Sequence, residues 1–215
     1  FKCHVFRVGY CQPLFECNSS CKCPTTCPNR VVQKGLSIKL QVFRTASKGW
    51  GVKTLEHIDQ NQFVCEYAGE IITYKEAKKR AKGLSGVTGQ YIIVLREHQT
   101  GNQVLRTHID SQLHGNVARF INHSCCPNLF MTAVRVNSII PRLALFAAVD
   151  IEEGEELCFD YAGNGYEYTC DGQSKNEVSK FTDIKIRKTP CLCEKSNCRT
   201  YLPFDSKLFC AESDF

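Results

Sequence analysis

The sequence predicts a compact, mainly β fold of several small sheets with few short helices. Short runs of apolar, β-branched and aromatic residues recur through the middle of the chain, as is typical of strands. Glycines and prolines stand at many junctions between these runs. With 215 residues and 43% hydrophobic content, the chain is long enough to bury one substantial core.

The elements are predicted in chain order from these runs. Strands are expected at residues 37–43, 62–67, 90–96, 104–109, 129–136 and 143–148. The clearest helix is expected at residues 74–82, and a short one at residues 115–121. The first helix carries the densest basic group of the chain, which favours a solvated helical face. Contact of this face with DNA stays open as an alternative.

Composition and charge limit the classes of function. The formal net charge of +5 is modestly basic, and no run of Lys or Arg is long enough for a nucleic-acid tail. No apolar run approaches the roughly 20 residues that cross a bilayer, and the amino terminus has no signal-peptide pattern. We therefore expect no membrane association.

Fifteen cysteines indicate either a secreted disulfide framework or a set of metal ligands. The spacing in two clusters distinguishes between disulfides and metal ligands. The clusters are Cys17-x3-Cys21-x-Cys23-x3-Cys27 and Cys191-x-Cys193-x4-Cys198. Each contains two cysteines separated by one residue, which are poor disulfide partners but good donors to a shared ion. The odd total also fits disulfides badly. The sequence favours zinc and a reducing, intracellular compartment.

Three motifs whose residues can bind a ligand or take part in a reaction follow one another along the chain. Lys48-Gly49-Trp50-Gly51 comes first, residues 119–128 read Arg-Phe-Ile-Asn-His-Ser-Cys-Cys-Pro-Asn, and residues 155–161 read Glu-Glu-Leu-Cys-Phe-Asp-Tyr. Taken alone, each of the first two motifs is at least as typical of an ordinary turn as of a ligand-binding loop. The first would be a turn around a packing tryptophan, and the second a turn held by hydrogen bonds. Their order and spacing resemble the SET-domain protein lysine methyltransferases. The resemblance spans nearly the whole chain and points to the suppressor-of-variegation clade of histone H3 lysine methyltransferases; residues 29–35, 63–70, 143–148 and 202–206 are most similar to one member of that clade.

The resemblance implies a fold, a cofactor and a set of cofactor contacts. The family fold has several small sheets and a pseudoknot-like crossing that brings Asn122-His123 beside Tyr161. Its cofactor is S-adenosyl-L-methionine, which leaves as S-adenosyl-L-homocysteine. The implied cofactor-binding residues are Lys48, Gly49, Trp50, Gly51, Tyr91, His114, Arg119, Asn122 and His123. At His114 the family often has an aromatic residue, so this position departs from the pattern.

The resemblance also implies three residues at the reaction channel. Tyr161 is expected at the point of methyl transfer, where its hydroxyl orients the substrate amine; with a pKa of about 10, a phenol is a poor general base at neutral pH. Tyr91 is expected to form a second wall, although it is equally a packed strand aromatic. Phe159 stands at the family's Phe/Tyr switch and lacks a hydroxyl, which favours dimethyl or trimethyl product.

Two zinc modules are implied on either side of the catalytic core. Cys125, Cys191, Cys193 and Cys198 form a closed structural site that pins the tail over the cofactor. Cys17, Cys21, Cys23 and Cys27 match the second half of a pre-SET module with nine cysteines and three zinc ions, whose five upstream ligands are not in their usual arrangement here. We expect a partial pre-SET module at residues 1–34, the SET core at 35–161, a linker at 162–188 and a post-SET lid and tail at 189–215.

The expected function is methyl transfer to a lysine of histone H3. The usual target of the clade is lysine nine, and one of its members is associated with lysine thirty-six. We expect the H3 tail or the nucleosome as partner, and the nucleus and chromatin as location. The acidic segment at residues 150–160 either attracts a basic peptide or is a solvated turn. The alternative function is a catalytically silent SET module that binds histones or chromatin partners.

Overall fold

The computed structural model of the chain describes residues 14–83, 91–98, 103–163, 189–203 and 208. The described strands are β1 (Leu14–Phe15), β2 (Leu40–Arg44), β3 (Trp50–Thr54), β4 (Phe63–Glu66), β5 (Glu70–Ile72), β6 (Ile92–His98), β7 (Val104–Asp110), β8 (Asn122–His123), β9 (Leu129–Arg135), β10 (Arg142–Ala147) and β11 (Cys158–Phe159). Helix α1 spans Tyr74–Gly83, and 3-10 helices span Val32–Lys34 and Val117–Phe120. None of the described helices is long and apolar enough to span a membrane.

The strands form three sheets, which confirms the mainly β prediction. The largest has the order β4-β10-β9-β11-β8, with β1 pairing beside β9. β2 and β3 form a hairpin, and β5, β7 and β6 form a third sheet. Each of the six strand predictions overlaps an observed strand, and the short helix expected at residues 115–121 is the 3-10 helix at Val117–Phe120.

The main core lies against the central strands of the large sheet. β10 is buried along Leu143–Ala147 and pairs antiparallel with both β4 and β9. A strand that is covered on both faces reads as a continuous apolar run instead of an alternating one. Val52 from the hairpin and Ile58 and Ile151 from the connecting loops complete this core and have no exposed surface.

Helix α1 is not the fully solvated basic face that its sequence predicts. Lys78 is buried, with its ammonium 5.9 Å from the ring centre of Tyr74. Arg80 pairs with Glu70 at 2.8 Å, with Glu76 at 3.0 Å and with the buried carboxylate of Asp110 at 2.7 Å. Because α1 packs against the third sheet, Arg80 pairs with carboxylates of that sheet and Lys78 is covered, so neither cation faces water freely.

The amino-terminal segment is held by strand pairing with the large sheet and by the carboxylate of Glu16. β1 pairs parallel with β9, placing Leu14 beside Val134. The carboxylate of Glu16 accepts from the backbone N–H groups of Val31, Val32 and Gln33 at 2.8, 2.6 and 3.2 Å. One side chain thus binds the first 3-10 helix to the strand that precedes the cysteine-rich turns.

A bidentate ion pair joins the third sheet to the large one. Arg135 at the end of β9 reaches Glu97 of β6 through Nη1–Oε1 and Nη2–Oε2 distances of 2.7 and 2.8 Å. Both side chains are about nine-tenths covered. Bidentate guanidinium–carboxylate pairs fix orientation as well as distance. The pair therefore sets how the two sheets are placed against each other.

Replacement of Arg135 by methionine tests this connection. We expect Arg135→Met to lower the free energy of unfolding by about 3 kcal/mol, because Glu97 would remain charged and covered without its partner. Denaturant unfolding followed by circular dichroism measures the loss. The control is Lys79→Met, which removes an exposed cation 3.9 Å from Glu76 and should cost less than about 1 kcal/mol. Equal midpoints for the two variants would contradict the assignment.

Candidate active site

The β2–β3 hairpin presents an exposed tryptophan at its turn. Gly49 has a φ of 82°, a left-handed conformation that favours glycine. A Cβ on Gly51 would lie 2.7 Å from Thr45 Cγ2, so only glycine fits there without displacing a neighbour. Trp50 is half exposed, and the guanidinium of Arg44 stands 5.4 Å from its ring centre. The glycines on either side thus hold the indole at the surface.

The parallel pairing of β8 with β11 brings the second and third sequence motifs together. Asn122 lies opposite Cys158, and His123 lies opposite Phe159. The side-chain amide of Asn122 donates to the backbone carbonyl of Trp50 at 3.0 Å, which links β8 to the hairpin. All three motifs therefore meet at one edge of the large sheet.

His123 is buried at the centre of this junction. Its Nδ1 accepts from the backbone N–H of Tyr161 at 3.2 Å, and its Nε2 is 3.3 Å from Cys125 Sγ. Burial lowers the pKa of His123 to about 4, with the nearby charge of Asp160 opposing the shift. The imidazole is therefore neutral at physiological pH and acts as a fixed spacer between the tyrosine and the cysteine.

Aromatic side chains line the space beside His123. The ring centres of Phe159 and Tyr161 are 4.9 Å apart, and those of Phe159 and Tyr67 are 6.0 Å apart. The Tyr161 hydroxyl donates to the backbone carbonyl of Ile121 at 2.9 Å. Phe159 is fully buried, whereas Tyr161 keeps part of its surface open.

Tyr67 belongs to this group but was not singled out from the sequence. Its hydroxyl donates to the backbone carbonyl of Tyr91 at 2.9 Å and accepts from the buried hydroxyl of Ser111 at 2.7 Å. In the sequence, Tyr67 only ends an apolar run that reads as a strand, so nothing in the pattern separates it from a core residue. Tyr67 was recognisable only as part of the family motif at residues 63–70.

Both tyrosine hydroxyls are held in the protonated state. Burial raises the pKa of Tyr67 to about 12, although the hydrogen bond from Ser111 opposes the shift. Burial of the phenol also raises the pKa of Tyr161 well above its usual range. These groups can donate and accept hydrogen bonds at neutral pH, but they cannot remove a proton as phenolates.

Arg119 and His114 lie in different surroundings. The guanidinium of Arg119 is 4.7 Å from the ring centre of Tyr91, and its buried Nε has no hydrogen-bond acceptor among the residues that the structure describes. The imidazole of His114 is exposed and lies 3.8 Å from Glu70 of β5. Arg119 thus joins the site through Tyr91, whereas His114 pairs with the third sheet.

The four carboxyl-terminal metal candidates converge. The Sγ atoms of Cys125, Cys191, Cys193 and Cys198 all lie within 4.8 Å of one another. Asn197 donates its side-chain amide to the Cys125 carbonyl at 3.0 Å. Arg199 adds an ion pair to Asp160 at 2.7 Å. The tail is thereby held against the loop that follows His123.

The amino-terminal cysteines converge less completely. Cys17, Cys23 and Cys27 form a second group with sulfurs within 4.8 Å of one another. Cys21 is not in that group; its sulfur accepts from the Asn18 N–H at 3.4 Å. Cys3 and Cys11 lie outside the described residues. Three of the four cysteines predicted here are thus brought together.

Comparisons with known proteins identify the class that this fold and site define. The model of the SET domain matches residues 49–162, which contain the second and third motifs and all of the first motif except Lys48. The chain is 47% identical over 201 residues to human histone-lysine N-methyltransferase SETMAR, covering 94% of this chain and 29% of that protein. It is 41% identical over 200 residues to the probable histone-lysine N-methyltransferase set-23 of Caenorhabditis briggsae, covering 92% of this chain and 75% of that protein.

Solved structures give the same result. The crystal structure of the methyltransferase domain of human SETMAR matches with a TM-score of 0.78 and 42% identity, covering 94% of this chain and 71% of that one. KRYPTONITE in complex with mCHH DNA, H3(1-15) peptide and SAH matches with a TM-score of 0.63 and 35% identity, covering 88% and 34%. The chain belongs to the SET-domain family of histone-lysine methyltransferases, with relatives in both the SETMAR and SUV39 groups. It spans less than two thirds of the mammalian SETMAR proteins.

The raised pKa of Tyr161 gives a testable optical property. Between about pH 9 and about pH 11, folded wild-type and folded Tyr161→Phe protein should gain the same tyrosinate absorbance, because Tyr161 of the wild type stays protonated over this range and the variant lacks this phenol. In denaturant, where the phenol is solvated, the two proteins should differ by one of the eight tyrosines. A one-tyrosine difference between the folded proteins would show that Tyr161 titrates normally.

Proposed function

We propose that this chain transfers methyl groups from S-adenosyl-L-methionine to the side-chain amine of a histone H3 lysine. The proposed target is lysine nine or lysine thirty-six, and the proposed product is the dimethyl or trimethyl form. The observation that carries the proposal is the β8–β11 pairing, which sets Asn122 and His123 directly beside Phe159 and Tyr161. A methyltransferase needs this adjacency because its donor and acceptor must meet in line.

The proposed cofactor surface consists of the hairpin turn, Tyr91, Arg119 and strand β8. Trp50 is half exposed there, and the buried Nε of Arg119 has no acceptor within the described part of the chain, as expected where a polar ligand binds. Lys48, Gly49 and Gly51 shape the turn, and Asn122 and His123 form the floor. His114, which pairs with Glu70, remains in the proposal only as a residue at the rim. The cofactor supplies an electrophilic methyl group on a sulfonium.

The chain's own part in the reaction is to position and desolvate the amine. Because the Tyr161 hydroxyl donates to the Ile121 carbonyl, its oxygen is left to accept a hydrogen bond from the substrate N–H. Phe159 and Tyr67 provide apolar ring surface that favours the neutral amine over the ammonium. The reactive lone pair of the amine is then directed along the channel.

The buried phenyl ring of Phe159 supports the proposed degree of methylation. It offers no hydroxyl that would hold a water molecule or an N–H beside the amine. A methylated amine can therefore rotate and present its lone pair again. Dimethyl and trimethyl products follow from this freedom.

The carboxyl-terminal cysteine group fits zinc. Four thiolates at about 2.3 Å from a tetrahedral ion lie about 3.8 Å from one another. The sulfurs of Cys125 and Cys191 are 3.9 Å apart. We assign Cys125, Cys191, Cys193 and Cys198 to a structural zinc ion that holds the tail beside the cofactor surface. Cys17, Cys23 and Cys27 are assigned to the amino-terminal module, with Cys21 as a further proposed ligand.

The proposed partner is the histone H3 tail or the nucleosome, and the proposed location is chromatin in the nucleus. KRYPTONITE was solved with an H3 peptide and DNA, which supports both kinds of partner. The exposed carboxylates within the acidic segment at residues 150–160 favour a basic peptide. Lys75 and Lys79 on α1 are exposed and are the proposed secondary contacts with DNA. The domain bounds expected from the sequence stay part of this proposal.

The test of activity is mass spectrometry of histone H3 and of recombinant nucleosomes after incubation with S-adenosyl-L-methionine. We expect a methyl mark whose rate of formation falls about 100-fold in Tyr161→Phe, because the hydroxyl that orients the amine is lost. Tyr74→Phe changes a tyrosine of α1 outside the proposed site and should leave the rate unchanged. No mark on either substrate, from protein that still binds cofactor, would favour the silent binding module.

Product state is tested at Phe159. We expect Phe159→Tyr to shift the product toward monomethyl-lysine, because the new hydroxyl would restrict the methylated amine. The ratio of the three methylated forms on an H3 peptide, taken at equal total turnover, measures the shift. An unchanged ratio would contradict the role given to the phenyl ring.

The zinc assignment is tested by paired cysteine variants. We expect Cys193→Ser to lose about one zinc ion per chain and to bind S-adenosyl-L-homocysteine more weakly, because its tail is released. Cys126→Ser changes the exposed neighbour of a ligand and should retain the wild-type zinc content. Elemental analysis and calorimetry provide the two measurements. Full zinc content in Cys193→Ser would refute the assignment.

A further inference from the structure

Glu156 connects separate parts of the proposed cofactor surface through one carboxylate. Its Oε2 lies 2.6 Å from the ammonium of Lys48, which precedes the Gly-Trp-Gly turn. Its Oε1 accepts from the side-chain amide of Asn122 at 2.9 Å. The same amide of Asn122 donates to the carbonyl of Trp50. A single acidic side chain therefore reaches both the hairpin and strand β8.

The surroundings hold this carboxylate in place. Glu156 forms a β-bridge with Lys53, and its carbonyl accepts from the side-chain amide of Asn128 at 2.9 Å. A Cβ on Gly51 would lie 3.1 Å from Oε1, so the hairpin approaches the carboxylate closely. The side chains of Lys48 and Glu156 are each at least three-quarters covered. Where water is partly excluded, charge-assisted hydrogen bonds strongly fix the relative positions of the groups that they join.

We propose that Glu156 is a positioning residue that assembles the cofactor surface before the cofactor binds. This inference rests on the proposed function, since it assigns the cofactor to the hairpin and β8. By holding Lys48 and Asn122 on one carboxylate, Glu156 sets the hairpin turn and the end of β8 at a fixed separation. A surface formed in advance binds its ligand without the cost of ordering it.

The arrangement also assigns a role to Lys48. Its ammonium is engaged by Glu156, so it serves the cofactor surface by fixing the turn and not by binding the cofactor carboxylate directly. Loss of Lys48 and loss of Glu156 should then affect the same step. Residues that act as one unit show non-additive effects when both are replaced.

Calorimetry of S-adenosyl-L-homocysteine binding to the whole chain tests the inference. Glu156→Ala is expected to weaken binding about tenfold or more, because Lys48 and Asn122 both lose a charged partner. Glu156→Gln keeps an acceptor for Asn122 but loses the ion pair, and should lie between Glu156→Ala and the wild type. Asp59→Asn removes an exposed carboxylate outside both the proposed cofactor surface and the acidic segment, and is the control, with wild-type affinity expected.

Two further measurements separate positioning from a general structural role. In steady-state kinetics, Glu156→Ala should raise the KM for S-adenosyl-L-methionine while the kcat and the KM for an H3 peptide stay at wild-type values. Adding Lys48→Met to Glu156→Ala should produce no further loss of affinity. A disrupted fold would instead change both KM values and lower the melting temperature of the ligand-free protein.

Each outcome decides between the two proposals. Wild-type affinity in Glu156→Ala, additive loss in the double variant, or a parallel loss of peptide binding would overturn the positioning role and leave the proposed function standing. Absence of S-adenosyl-L-homocysteine binding to the wild-type chain would overturn the proposed function and this inference with it.

Discussion

The candidate site depends on the parallel pairing of two very short strands. β8 and β11 contribute two residues each, and the pairing is reinforced by the hydrogen bond from the Tyr161 N–H to His123. A neutral, buried imidazole can accept that bond, whereas an imidazolium cannot. Without this contact, Asn122, which reaches the hairpin, and Tyr161 would belong to separate parts of the surface.

Much of the fold followed from the sequence because long strands carry a repeated signal. β9 and β10 are apolar along most of their length and were found within one residue of their bounds. β8 and β11 are too short for any periodicity, and their pairing is known only through the family resemblance and the structure. The solvated face predicted for α1 was wrong at Arg80, because the sequence of the helix does not show that the carboxylate of Asp110 lies buried beside it.

The residues of the candidate site also fall into those that the sequence predicts and those that only the structure shows. Some site residues belong to motifs that can be recognised in the sequence by residue type and spacing. These are Tyr161, Asn122, His123 and the carboxyl-terminal cysteines. Tyr67 and Glu156 act through contacts with residues far away in the chain. Glu156 is one of several acidic residues in its segment, and only its two hydrogen-bonding partners distinguish it from the exposed ones.

The meeting of Cys125 with Cys191 has a consequence for the unfolded chain. Their sulfurs are 3.9 Å apart across 66 positions of sequence. An ion that joins them would bind the folded chain and not the unfolded one, in which these two cysteines are far apart. The unfolded chain would then lack a stabilising ligand that the folded chain has, so metal supply would govern how long the whole domain persists in the cell.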